Sequence, residues 1–244
     1  MELFKNIKII DLALKYKDLL IIGDLHIGLE GTFLNQGVML PVSQLDTIIK
    51  RLKKIMKKAK PKKIIINGDL KEEFGTISNQ EWKDTTKLIN FLKEKAELTL
   101  IKGNHDTILA PIAKKLNTEL KQRFDVDDLS IVHGDVLFKD LNKIIIIGHQ
   151  HPAISFKERP DEKYKCFLVG KYKKSNLIVM PSFNPLIEGS DITKERSLSP
   201  YIKNFSNFEV YVVQQDTTLR KSKANAGKYY KDGVFYFGKV KDTQ

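Results

Sequence analysis

Five short turns in this chain supply side chains that are almost all of metal-ligand type. They are "GDLHIG" with Asp24 and His26, "NGDL" with Asp69, "GNHD" with Asn104 and His105, "VHGD" with His133, and "GHQHP" with His149 and His151. All five histidines of the 244-residue chain lie in these turns, a sorting that histidine used as core filler or solvated surface would not show. Imidazole, carboxylate and amide oxygen without thiolate suit manganese, iron or zinc, whereas magnesium and calcium favour more oxygen. Eight candidate side chains exceed the three or four that a single catalytic zinc needs, so two ions fit better. A shared carboxylate would set two ions about 3.5–4 Å apart, the spacing that clamps attacking and leaving oxygens in phosphoryl chemistry. Two dications also carry more charge than two Asp side chains neutralise, which matches a phosphoester.

Each turn closes an apolar run: "DLLIIGD", "KKIIINGD", "ELTLIKGN", "DLSIVHGD" and "KIIIIGH". Unbroken β-branched runs ended by Gly predict strands buried on both faces. Ligands of α/β sheets bind beyond the carboxyl ends of the strands, where groups distant in sequence converge. Between the runs, residues 41–59 place Leu45, Ile48, Ile49, Leu52, Ile55 and Met56 on one helical stripe. Residues 79–96 do the same with Trp82, Leu88, Ile89 and Leu92, with Asn79 as the cap. A short third helix is expected in "TILAPIAKKL", interrupted near Pro111. Later strands are expected in "KCFLVGKY", "NLIVMP", "FEVYVVQQ" and "GVFYFGKV". The pattern predicts an α/β core completed by antiparallel strands, as a single domain over residues 1–244. Its motif core spans about 18–192, and C-terminal strands with a polar loop fill about 193–244. Residues 214–232 form the most polar stretch and are expected to be a mobile loop.

Lys and Arg number 42 against 30 Asp and Glu, and the net charge of +12 favours polyanionic partners. The single cysteine, Cys166, rules out an intramolecular disulfide and a cysteine-based zinc site. Charges at Lys5, Lys8, Asp11, Lys15, Lys17 and Asp18 break up the N-terminus, so it does not read as a signal peptide. No apolar run is long enough to span a bilayer, and a cytoplasmic protein is expected.

In their order along the chain, the five motifs resemble those of the calcineurin-like metallophosphoesterases, over about residues 20–152. The resemblance implies a two-sheet β-sandwich core flanked by helices, an α/β fold. It implies that Asp24, His26 and His151 hold one divalent metal ion and Asn104, His133 and His149 the other, with Asp69 bridging them. Manganese is the expected metal, with iron or zinc as alternatives, and a water between the metals is the expected nucleophile. His105 matches the family's catalytic histidine, which steadies the phosphate or protonates the leaving oxygen. Related phosphatases orient that histidine with an Asp three residues after the bridging carboxylate, and Glu72 stands there in this chain. Asp106 is a second candidate for orienting His105, or else a helix cap.

A narrower resemblance rests on "GDLK..FG", "GHQHP" and "MPSFNPLIEGSDI". These are similar to metallophosphoesterases associated with DNA ligase and a large helicase, whose archaeal members are related to the nuclease subunit of double-strand-break repair complexes. The chain departs from them at Glu72, where those relatives carry His. The resemblance implies a phosphodiesterase of nucleic-acid metabolism or repair, with DNA or RNA as substrate and a helicase or ligase as partner. A hydrolase of nucleotides or cyclic nucleotides is the alternative, and a non-catalytic scaffold for such a partner is a third reading. Other polar and aromatic groups read as structural. Asp135 is taken as a turn residue, Pro181, Ser182, Phe183 and Asn184 as a strand end, and Tyr229, Tyr230, Phe235 and Tyr236 as strand packing.

Overall fold

Isoleucine-rich strands must be covered on both faces, and the chain meets this demand by stacking two sheets and adding helices. The computed structural model describes residues 1–39, 43–73, 77–214 and 229–243. The first sheet has seven strands in sequential order: β1 (Glu2–Phe4), β2 (Ile7–Ile10), β3 (Ala13–Tyr16), β4 (Leu19–Ile22), β5 (Lys63–Asn67), β6 (Glu97–Ile101) and β7 (Glu119–Lys121). β1 to β4 form an antiparallel meander, and β4 to β7 run parallel. The parallel strands are linked through α1 (Leu29–Asn35), α2 (Gln44–Ala59), α3 (Asn79–Lys93) and α4 (Leu109–Lys115).

The second sheet follows with β8 (Arg123–Val126), β9 (Leu129–Val132), β10 (Ile144–Ile147), β11 (Pro152–Phe156), β12 (Arg159–Tyr172), β13 (Ser175–Val179), β14 (Ser190–Asp191), β15 (Glu209–Val213), β16 (Tyr229–Lys231) and β17 (Val234–Lys239). β9, β10 and β13 are parallel within it. Alternate residues of this sheet serve two cores. Ile131, Ile146, Phe167 and Ile178 join the larger cluster shared with the first sheet and the stripes of α2 and α3. Val132, Ile147, Leu168 and Val179 point the other way, onto Tyr201, Ile202, Phe205 and Phe208.

The expected two-sheet α/β architecture is observed, with local corrections. Ser78 caps α3 in place of Asn79, its hydroxyl accepting the Glu81 amide at 3.1 Å, and the helix ends at Lys93. Pro111 lies in the first turn of α4, where an absent N–H costs nothing, so it does not interrupt the helix. β1 to β3 escape a search for apolar runs because charged residues interrupt them, as in "IKII" with its exposed Lys8. Within the stretch expected to be a loop, residues 215–228 lie outside the described residues, and Tyr229–Lys231 form strand β16.

Ile65 sits on β5, fully buried and paired on both sides by β4 and β6. Ile65→Ala should cost about 2–5 kcal/mol, read as a lower urea midpoint at unchanged m-value.

Candidate metal centre

Parallel pairing brings the carboxyl ends of β4, β5 and β6 to one edge and those of β9, β10 and β13 to a facing edge. Asp24, Asp69 and Asn104 come from the first sheet, and His133, His149 and His151 from the second. The chain turns abruptly here: Asp24, His26, Asp69, His149 and His151 all have positive φ, between 44° and 60°. Such backbone disfavours side chains other than Gly or Asn, and its concentration in the predicted site residues marks stored strain at a functional site. The preceding glycines supply clearance. A Cβ on Gly103 would lie 2.1 Å from Asp69 Oδ1, and one on Gly68 would lie 2.1 Å from His133 Nδ1.

Two groups of donor atoms share Asp69: Asp24, His26, Asp69 and His151 converge in one, and Asp69, His133 and His149 in the other, while His26, Glu72 and His105 make a third group beside them. His26 Nε2 lies 3.3 Å from His151 Nε2 and 3.8 Å from Asp69 Oδ2. His133 Nε2 lies 3.2 Å from the same Asp69 oxygen and 3.0 Å from Asn104 Oδ1. Asp69 Oδ2 therefore belongs to both groups, while its Oδ1 accepts the His105 amide at 2.9 Å. Asp24 Oδ1 takes the His149 amide, and its Oδ2 is buried with no hydrogen-bond donor among the described residues. Buried carboxylate oxygens are rarely left so. Lone pairs from several ligands aimed at one space, beside that oxygen, are what a divalent cation requires.

The second ring nitrogens are also held. His26 Nδ1 donates to Glu72 Oε2 at 2.6 Å, and His133 Nδ1 donates to the Asn67 carbonyl at 3.3 Å, which turns both Nε2 atoms inward. His105 Nδ1 donates to the backbone carbonyl of Glu72 at 2.7 Å, whereas the Glu72 carboxylate is 3.8 Å away. The carboxylate thus serves His26 first. Asp106 neither caps a helix nor aims at an imidazole: its oxygens accept the amides of Gly103, Leu70 and Lys71, tying the β5 and β6 turns together.

Electrostatics follow from this packing. Burial would raise Asp24 and Asp69, but His151 and His133 beside Asp24, and His133 and His26 beside Asp69, outweigh it and hold both low. Burial would lower His133, yet its hydrogen bond to Asp69 and the charge of Asp24 push it up to about 9. Burial and the charge of His133 lower His149.

Four residues behind the centre support it without being donors to a metal. Ser182 Oγ donates to the Asp24 carbonyl at 2.8 Å, and Asn184 Nδ2 to the His26 carbonyl at 3.3 Å, so this segment braces the strained β4 turn as well as ending a strand. Lys165 is 3% exposed and donates its ammonium to the carbonyls of Ser182 and Asn184. Burial and nearby Arg51 bring it down to about 7. Glu81 Oε1 accepts the amides of Glu72 and Glu73, holding the loop that faces His26 and His105. A buried lysine inside a strand could not be inferred from "KYKCFL", where alternation gives no sign of it. Lys165→Met should loosen the Ser182 and Asn184 braces and weaken manganese binding about 10–100-fold by calorimetry, with the far-ultraviolet circular dichroism unchanged.

Comparison with known proteins bears on the same edge of the fold. No curated protein sequence matches the chain. Among solved structures, the crystal structure of Pseudomonas putida nuclease MPE is similar, with a TM-score of 0.60 and 17% identity over 87% of this chain and 94% of that one. YfcE, a phosphoesterase from E. coli, aligns with a TM-score of 0.40 and 13% identity over 80% of this chain and 90% of that one. The family model described as calcineurin-like phosphoesterase matches residues 18–212, from β4 through β15 and all the donor groups between them. The chain belongs to the calcineurin-like phosphoesterase family and is a hydrolase of phosphoester bonds.

Proposed function

We propose that the chain is a dinuclear metal-dependent phosphodiesterase acting in nucleic-acid metabolism. The observation that carries this reading is the position of Asp69 Oδ2 in both donor groups, beside a buried Asp24 oxygen with no hydrogen-bond donor among the described residues. In this reading Asp24, His26 and His151 hold one ion, Asn104, His133 and His149 the other, and Asp69 both. Bound divalent ions, manganese foremost, would supply Lewis acidity to the phosphoryl oxygens and acidify a water.

The chain's own groups do the rest. The His105 amide fixes Asp69 by taking its other oxygen, so the carboxylate cannot rotate away from the centre. Because His105 Nδ1 is engaged by the Glu72 carbonyl, Nε2 is the nitrogen that acts on the substrate. It steadies a phosphoryl oxygen or, as imidazolium, gives a proton to the leaving oxygen. Glu72 raises the basicity of His26 through Nδ1 and so acts on metal affinity rather than on proton transfer. The net charge of +12 favours a polyanionic diester, and the similar Pseudomonas putida protein is a nuclease.

The decisive comparison is manganese-dependent hydrolysis of a small phosphodiester, a phosphomonoester, a cyclic nucleotide, single-stranded DNA and RNA. Diesters should be favoured, and His105→Ala should lower turnover about 10²–10⁴-fold. Asp69→Asn should abolish it; persistence in that variant would defeat the dinuclear reading. Efficient cleavage of cyclic nucleotides with none of DNA or RNA would move the substrate to small molecules. Glu72→Gln should keep turnover at saturating manganese while raising the manganese needed for half-activity about 10–100-fold.

A further inference from the structure

A second surface, away from the metal centre, collects the chain's positive charge beside aromatic rings. β12 and β13 are joined by a tight turn in which Tyr172 pairs with Ser175, leaving Lys173 and Lys174 at the tip. Lys173 has φ 52°, a conformation that such turns usually assign to Gly or Asn. Turn propensity does not account for two lysines there. Two adjoining grooves, of about 610 and 480 Å³, share Tyr172 and Lys173. They bring together Lys171, Lys203, Lys139 and Lys174 around that pair, with Asp140 as the one acidic liner. Among the described residues, none of these five lysines forms an ion pair. Lys171 meets only the amide oxygen of Asn176, at 2.7 Å.

The floor of this surface is fixed and partly aromatic. Tyr172 packs edge-on against buried Tyr201 at 4.8 Å between ring centroids, and Lys173 Nζ lies 5.2 Å from the Tyr172 centroid. A Cβ on Gly170 would strike the Phe208 ring at 2.6 Å, so only glycine lets that ring close the groove. Leu137 lines the same groove and is 55% exposed.

The groove is also connected to the metal centre. Leu137 lies on the chain that leaves His133, and Ser199 Oγ donates to the Gly134 carbonyl at the start of that segment. The Phe138 amide donates to Tyr201 Oη, stitching the two loops again lower down. Gln150, between His149 and His151, accepts the Leu198 amide at 2.7 Å and so anchors the second loop to the metal turn. β10 and β13 run from the hairpin end toward the centre, so the length of these strands, about 13–17 Å, separates the groove from the metal turns. Another cavity, beside α1 and α3, has the reverse charge: Glu30, Asp46, Glu73, Glu81 and Asp84 line it with Lys87.

We propose that the Tyr172 groove, edged by Lys139, Lys171, Lys173, Lys174 and Lys203, is a binding track for single-stranded nucleic acid. It takes phosphates on its lysines and bases on the exposed parts of Tyr172 and Leu137. This rests on the phosphodiesterase reading only for its purpose, since the track binds whether or not the centre cleaves. Single strands are favoured over an acidic polypeptide because the lysines stand beside the Tyr172 ring and exposed Leu137, flat and apolar surface that bases use and carboxylate side chains do not.

The test is fluorescence anisotropy of a hydrolysis-resistant phosphorothioate oligonucleotide with the manganese-loaded full chain, titrated with salt. The triple variant Lys171→Glu, Lys173→Glu, Lys203→Glu should raise Kd at least about tenfold at low salt. It should also reduce the slope of log K against log salt by about 2, at roughly 0.7 per lost phosphate contact. The matched variant Lys50→Glu, Lys54→Glu, Lys57→Glu on α2 carries the same charge change and should stay within about threefold of the parent. Turnover of a small diester should be equal in all three proteins. Equal losses in the two variants, or no loss in the first, would overturn the track. Competition by polyglutamate as strong as that by the oligonucleotide would overturn its assignment to nucleic acid. A chain that binds the oligonucleotide through these lysines yet hydrolyses no small diester would refute the catalytic reading alone.

Discussion

A carboxylate can be buried only where donors or cations reach it, and Asp24 and Asp69 are among the buried acids of this fold, where the edges of its sheets meet. Histidines and backbone amides provide compensation. His133 reaches Asp69, His151 reaches Asp24, and the amides of His105 and His149 cap one oxygen of each. Those contacts require side chains on several strand ends to point at one small volume. Strands that end smoothly cannot achieve this, which explains why five of the residues involved adopt left-handed backbone and why glycines stand immediately before three of them, Asp24, Asp69 and His149.

That strain is borne by a layer behind the centre. Lys165, Ser182 and Asn184 grip the carbonyls and the turn that carry Asp24 and His26. Asp106 binds the two neighbouring turns through three amides, and Glu81 holds the loop of Glu72. Each is buried, and each bonds backbone of the turns or of the segment behind them rather than a donor side chain. A buried ammonium near a site for cations is unfavourable by itself, and Lys165 answers this with two carbonyl acceptors and a lowered pKa.

The same physics separates what happens at the centre from what happens around it. Inside, charges are close and screened little by water, so the buried carboxylates and imidazoles shift one another's affinity for protons. Outside, lysines on the face of the second sheet and carboxylates beside α1 and α3 act through solvent and are screened by salt.

The five turns, the strands before them and both long helices can be read directly from the chain, because apolar period, β-branching and Gly are local properties. The histidine distribution likewise identifies the candidate donors before any folding is considered. Contacts between residues far apart escape such reading. Which nitrogen of His26 meets Glu72, which part of Glu72 meets His105, and where the Asp106 oxygens go all depend on how turns from different strands stack. The short N-terminal strands are hidden because half of each faces water, and Lys165 because a buried cation breaks the alternation used to find strands. Local composition thus determined which groups this protein could use. Only the packing of two parallel strand sets edge to edge decided which atoms meet, because hydrogen-bond geometry changes over fractions of an ångström and sequence spacing carries no such distances.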